Sequence, residues 1–186
     1  MKVIPLFKNK AQLIASSAKN DRRAQQQLFE QFSPRMLGVC RMYIKDLQHA
    51  EEVMLNGFVK IFQHVHQYES KGSFEGWMKR VVINEALGFL RKKEPLHLAI
   101  EKDHIQLPTA ATAESDLAVE DLLNLLHELP AGYRTVFNMY AIEGYSHKEI
   151  AEMLDITEGT SKSQLSKARA LLQKRLVGQE LNNYEL

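Results

Sequence analysis

Residues 145–176, YSHKEIAEMLDITEGTSKSQLSKARALLQKRL, constrain the fold more than any other stretch of the chain. Ser146 followed by Glu149 is a capping-box pattern, in which each side chain satisfies the other residue's backbone N–H at the start of a helix. Ile150 and Leu154 give that helix one apolar edge. The Leu154-Asp155-Ile156-Thr157 segment then supplies a turn, with Thr157 as N-cap of a second helix. In this second helix Leu165, Ala168, Leu172 and Leu176 recur at steps of 3, 4 and 4, which predicts one buried stripe. Thr160, Lys162, Ser163, Ser166 and Lys167 fall off that stripe and are expected to face outward. Two short helices, a tight turn and a second helix rich in Lys, Ser and Thr predict a helix-turn-helix of the kind that enters a DNA major groove.

Charge supports the same reading. The chain has 186 residues and a formal net charge of +1, but the charges are segregated. Between Gly159 and Gln179 stand Lys162, Lys167, Arg169, Lys174 and Arg175 with no acidic residue. Residues 71–93 carry six basic side chains against Glu75 and Glu85, and residues 114–128 carry five acidic ones with no Lys or Arg. Two basic patches flanking an acidic block predict two separate contacts with a polyanion. A solvated basic face is the plainer alternative.

An apolar share of 45% is ordinary for a globular protein, and the length can bury a real core. Cys40 is the one cysteine, which rules out an intrachain disulfide and suggests a reducing compartment. It stands among Leu37, Val39 and Met42, as a buried hydrophobe would. MKVIPLFKNK lacks the apolar centre of a signal peptide, and no run approaches the roughly 18 apolar residues of a membrane span. A cytoplasmic protein without membrane insertion is the expectation.

Helical periodicity runs through the chain and no segment alternates like a strand, so the fold class is all-α. Asp21 caps a helix running to about Phe32, and Ser33-Pro34 starts another. Asp46 caps a third, LQHAEEVMLNGFVKIFQHV, with Val53, Phe58, Ile61 and Phe62 inward. Ser73 caps a fourth, FEGWMKRVVINEALGFLRKK. Pattern weakens over residues 94–113, read as a linker in which PLHLAI makes a short packed segment. Ser115 then caps a helix bearing Leu122, Leu125, Leu126 and Leu129 up to Pro130, and a further helix runs from about Tyr133 to Gly144. Two small helical domains result, 1–93 and 114–186, joined by that linker.

The basic patch of the first domain has its own character. Tyr68, Phe74 and Trp77 alternate with Lys71, Lys79 and Arg80 around a Gly-Ser break. Aromatic faces stack on unpaired bases at ~1–3 kcal/mol each while cations track the backbone, so the composition suits opened DNA. Phe74 and Trp77, three apart, can equally be core. Asn84 interrupts the apolar run VVINEAL, where a buried amide without a partner is costly. It suits hydrogen bonds to bases or phosphates, or a tie between two helices.

Together these patches resemble the sigma factors of bacterial RNA polymerase, in particular the small extracytoplasmic-function group, over about Asp21 to Leu176. AEEVMLNGF is similar to the family's polymerase-binding helix, FEGWMKRVVINEALGFLRKK to its −10 region, and the helix-turn-helix to its −35 region. The family's Asn-x-x-x-Asp-x-x-Arg pattern falls on Asn84, Gly88 and Arg91, and its Glu-Gly-Thr-Val-Lys-Ser-Arg-Leu-Ser-x-Ala-Arg pattern on Glu158 through Arg169. The resemblance implies a sigma factor. Thr160, Lys162, Ser163, Gln164, Ser166, Lys167 and Arg169 would contact the −35 element. Lys71, Phe74, Trp77, Arg80, Asn84 and Arg91 would contact the −10 element, with a flipped non-template base held by the segment between His66 and Trp77. Glu51, Glu52, Leu55, Asn56 and Phe58 would meet core RNA polymerase. Promoter DNA and an anti-sigma factor masking both domains are the other implied partners, with the linker along the polymerase's RNA path.

Four positions depart from the family. Leu55-Asn56 replaces a Gln-Glu pair, Gly88 a frequent Asp, Ser161 an apolar support, and Gln164 an Arg. The last change predicts an adenine reader and an unusual promoter preference.

Two rival functions remain on sequence grounds. A conventional helix-turn-helix regulator would bind its duplex site without polymerase. An enzyme finds little support, with no glycine-rich phosphate loop, His-Glu-x-x-His run or nucleophile elbow. His64 and His66, two apart, face different sides of a helix and lack a third ligand. No metal, cofactor or small-molecule substrate is expected.

Overall fold

A computed structural model describes residues 9–93 and 117–183, and the chain divides into two compact units, Met1–Phe89 and Leu90–Leu186. Among the described residues all regular structure is helical. None of these helices is long and apolar enough to cross a membrane.

The first unit is built by short-range caps. Asn9 accepts from Gln12 N at 2.8 Å and opens α1, Lys10–Ala18, a helix not anticipated above. Asp21 accepts from Arg23 N and Ala24 N and opens α2, Arg22–Tyr43. The predicted break at Ser33-Pro34 does not occur, and α2 runs straight through Pro34. Its buried stripe explains why: Ala24, Leu28, Phe32, Met36, Val39, Cys40 and Tyr43 form one unbroken face. Pro34 is exposed, and so is Glu30, whose carbonyl loses its helical donor and can turn to water.

Asp46 accepts from His49 N at 2.8 Å and opens α3, Leu47–His64, followed by a 3-10 turn, Val65–Gln67. Ser73 accepts from Gly76 N at 3.0 Å at the start of α4, Phe74–Lys93. Where α3 meets α4, Gly57 lies so close that a Cβ there would stand 2.9 Å from Val82 Cγ2. Lys60 and Glu85 pair across the same two helices, and Arg35 of α2 reaches Glu75 of α4 at 2.9 Å. Leu28, Phe32, Met36, Tyr43, Ile61, Met78, Ile83 and Leu87 form the fully buried centre.

The second unit comprises α5 (Leu117–His127), α6 (Ala131–Phe137), a π-helical turn (Asn138–Ile142), α7 (His147–Leu154) and α8 (Glu158–Asn183). The expected helix ending at Gly144 is thus α6 plus the π turn, closed by Glu143 N donating to Asn138 O, with Gly144 at φ +78°. Leu126, Leu129, Tyr133, Ala168 and Leu172 form the core, with Leu125, Phe137 and Leu171 against it. Buried Arg134 donates through Nη1 to Leu129 O (3.1 Å) and His127 O (3.4 Å), satisfying carbonyls at the C-terminal end of α5.

Two predicted core leucines are on the surface: Leu122 is 54% exposed and Leu176 50%. LLNLLHEL offers two adjacent stripes at helical spacing, and packing selects Leu123 in place of Leu122. On α8 the buried stripe ends at Leu172, and beyond it Arg175 pairs with Glu128 at 2.5 Å. The Ser115 cap, PLHLAI and the linker lie outside the described residues.

Candidate nucleic-acid and polymerase interfaces

The helix-turn-helix is set by its own side chains. Ser146 N donates to Glu149 Oε2 at 2.9 Å and Glu149 N to Ser146 Oγ at 3.3 Å, completing the capping box. Asp155 ends α7 in the left-handed region (φ 56°, ψ 48°), which an Asp side chain tolerates better than most. Thr157 Oγ1 accepts from Thr160 N at 3.0 Å and starts α8. Ile150, Leu154, Leu165 and Ala168 are buried beneath.

Above that core, Lys162, Ser163, Ser166, Lys167 and Arg169 are exposed and Thr160 is half-buried, a surface of cations and hydroxyls. Glu158 lies 3.8 Å from Lys162, and the Lys167 ammonium rests over the Tyr133 ring at 5.7 Å. Gln164 departs from the expectation. At 4% exposure it belongs to the inward side with Leu165, at the edge of a hollow it shares with Tyr133, so it is not an outward base reader. Its place one step before Leu165 on the buried stripe turns it inward.

In the first unit, α4 separates two roles that the sequence left together. Phe74 is 2% exposed and meets the rings of Phe32 (6.2 Å) and Tyr68 (5.1 Å) edge-on, so it is core and not a DNA-facing aromatic. Trp77 is half-buried and stacks on Phe74 at 5.7 Å and 20°. Phe74 therefore acts as a platform that fixes the Trp77 ring. Tyr68 braces the same pair and donates its hydroxyl to Gly72 O at 2.8 Å, tying down the turn that carries Lys71. Lys71 is exposed beside Glu69 at 2.6 Å.

Arg80, Asn84 and Arg91 are exposed. At about 100° per residue they share with Trp77 and Gly88 a sector of roughly 80° on α4. Asn84 thus ties no helices together, and its amide meets solvent. A Cβ at Gly88 would touch nothing within 4 Å, so this face is open where the family often carries Asp.

On α3, Glu51, Glu52, Leu55 and Asn56 are exposed as a partner surface requires. Phe58 is not: it is 2% exposed and meets Phe29 edge-on at 4.8 Å, so it keeps the inward place its spacing predicts and does not belong with the polymerase-contact residues. Two surface residues were missed. Leu47 and Val59 are 50% and 54% exposed and stand at four-residue steps from Glu51 and Leu55, a second stripe that the spacing itself displays. Cys40 is buried, and that burial pushes its thiol up to about 12, so it stays protonated and inert. No group of three or more His, Cys, Asp or Glu side chains suited to a metal occurs among the described residues.

Two helical units, one a helix-turn-helix with a cationic recognition face, define a DNA-binding protein. Sequence profiles make the class specific: Sigma-70 region 2 matches residues 28–95, and Sigma-70, region 4 matches residues 120–172. The chain belongs to the sigma-70 family of bacterial RNA polymerase sigma factors. That family supports promoter-specific transcription initiation with RNA polymerase, and its members are DNA-binding regulators, not enzymes.

Among its relatives, the RNA polymerase sigma-H factor of Pseudomonas aeruginosa is 25% identical over 89% of this chain and 92% of that protein. The ECF RNA polymerase sigma factor SigM of Mycobacterium tuberculosis is 27% identical over 92% of this chain and 86% of its own. Solved structures share the fold. The sigma factor RpoE of Bartonella quintana, crystallised with the anti-sigma factor NepR, matches 81% of this chain and 95% of that one at a TM-score of 0.55 and 21% identity. CnrH, solved with the cytosolic domain of CnrY, matches 89% and 96% at 0.53 and 20%.

Proposed function

We propose that this chain brings core RNA polymerase to a defined set of promoters through two chemically different DNA contacts. The exposed face of α8, with Lys162, Ser163, Ser166, Lys167 and Arg169, docks on the duplex −35 element. The Trp77–Arg80–Asn84–Arg91 face of α4, with Lys71, holds the −10 strand as it opens. The observation that carries this reading is the division of labour on α4, where a half-exposed Trp77 on a buried Phe74 platform adjoins exposed Asn84 and Arg91. A duplex hides its base faces, so an aromatic set among cations is matched to separated bases.

Magnitudes make polymerase a necessary participant. Opening about ten base-pair steps at ~1.4 kcal/mol each costs roughly 14 kcal/mol in stacking. Two or three stacked bases at ~1–3 kcal/mol each return only part of it. The protein selects and captures the opened strand while polymerase supplies the rest, through a contact on Glu51, Glu52, Leu55 and Asn56 of α3. Residues 1–93 and 114–186 act as the two contact domains, 94–113 as connector along the polymerase's RNA path, and the site of action is the cytoplasm. Relatives of the same fold solved with an anti-sigma factor support regulation by such a partner, which would mask both domains.

Transcription in vitro from a promoter library, with core polymerase and with or without this chain, tests the reading. Enrichment of start sites sharing spaced −35 and −10 elements is expected. Tight sequence-specific binding of the purified chain to duplex DNA, unchanged by polymerase, would instead establish a conventional regulator.

A further inference from the structure

We propose that His147 is a phosphate-contacting residue of the −35 interface, and that its protonation tightens duplex binding. The proposal rests on the −35 reading above and deepens it. It begins with Ser161, a hydroxyl that is 0% exposed at a position where an apolar side chain would be the simpler support for the recognition helix. A buried hydroxyl needs a partner, and Ser161 Oγ shares a hydrogen bond with His147 Nδ1 at 2.9 Å. The His147 ring stacks on Tyr140 at 4.5 Å and 23°, and the Arg169 guanidinium lies 5.8 Å from the centre of the same Tyr140 ring. One polar column therefore joins the π turn, the first residue of α7 and both ends of the recognition face on α8.

Chemistry gives the column a consequence. Serine can donate or accept, so the Nδ1–Ser161 bond survives in either charge state of the imidazole. Nε2 is then the nitrogen left for a ligand, and His147 lines an open groove of about 440 Å3 with Tyr140, Lys162, Leu165, Ser166 and Arg169. Lys162 and Arg169 are the charged side chains lining the groove, and Glu158 pairs with Lys162; along the chain Lys148 and Glu149 follow His147 on α7, and Glu143 stands four residues before it. A DNA phosphate in the groove would set a negative charge against the imidazole and favour its charged form. Duplex binding then takes up a proton, and a charged imidazole adds a charge-assisted hydrogen bond to the phosphate.

The test measures holoenzyme affinity for a library-selected promoter duplex between about pH 8 and pH 5.5, where imidazoles titrate. Variant-to-wild-type ratios cancel the polymerase's own pH response. H147Q keeps an amide partner for Ser161 but cannot charge, and H147R is charged throughout. Wild type should gain affinity over both variants' slopes as pH falls, by up to about one log unit per pH unit, the limit for one linked proton. H147Q should be weaker at low pH and converge on wild type at high pH. A purely structural histidine predicts a constant deficit, and a flat H147Q-to-wild-type ratio across pH overturns the proposal. Thermal unfolding of each variant monitors the fold, and H147R carries the test if H147Q unfolds. Lys162→Ala separates the two failures. If it leaves affinity unchanged, the −35 reading itself is wrong; if it weakens binding while the His147 ratio stays flat, only the histidine proposal falls.

Discussion

Asn84 and Phe74 sit on the same helix and show how one residue's orientation decides its role. Asn84 is exposed in the middle of an apolar run, so Asn84→Ala removes an amide that meets solvent. Thermal unfolding of that variant should match wild type while transcription from duplex promoters falls. A lowered melting temperature, or normal transcription, would refute the role given to this face. Phe74→Ala should instead cost ~3–5 kcal/mol of stability and harm duplex and pre-melted templates alike. Trp77→Ala should impair duplex promoters and be partly rescued by a pre-melted −10 bubble. Equal loss on both templates would return Trp77 to the core. Cys40 offers a check on burial. Its raised pKa favours the thiol over the thiolate, so folded protein at pH 8 should resist thiol reagents and become reactive in denaturant. Rapid labelling of the folded chain would show that the α2 interior opens readily.

Among the described glycines, Gly57 makes the closest approach to a neighbouring helix. A methyl group there would press Val82 of α4 from 2.9 Å, and the β-branched side chain has little freedom to yield. Gly57→Ala should therefore destabilise the first unit by ~1–3 kcal/mol, read as a lower denaturation midpoint; an unchanged midpoint would mean that α3 and α4 can separate at no cost. On α8 the exposed cations should act through phosphates. Lys162→Ala and Lys167→Ala should each weaken −35 binding across many sequences and lower the salt slope by about 0.9. An unaltered slope would mean that neither ammonium reaches DNA, and for Lys167 that it stays over Tyr133.

For the molecule as a whole, two modest basic faces imply weak hold on a long duplex and a dependence on polymerase. Footprinting should show little promoter protection by the chain alone and protection of both elements once core enzyme is added. Much of this organisation is legible in the amino-acid order. Asp21, Asp46, Ser73, Ser146 and Thr157 all accept backbone N–H groups where their identities predict. Capping is decided within three residues, so the local sequence contains all the atoms involved. Packing is not local. Pro34 signals a helix start, yet the continuous apolar face of α2 carries the helix past it. Phe58, Phe74 and Gln164 carry the chemistry of a binding surface and lie inward, while Leu122 and Leu176 carry that of a core and lie outward. Helical periodicity defines neighbouring stripes a residue apart, and only the helix packed against them selects which is buried. The sequence by itself thus determined most of the helices, their caps and the two cationic segments. Where neighbouring stripes compete, tertiary structure decided which face meets solvent, because burial there is settled by residues far apart in the chain. The same holds for the Ser161–His147–Tyr140 column, since its three residues come from separate elements that only the folded chain brings together.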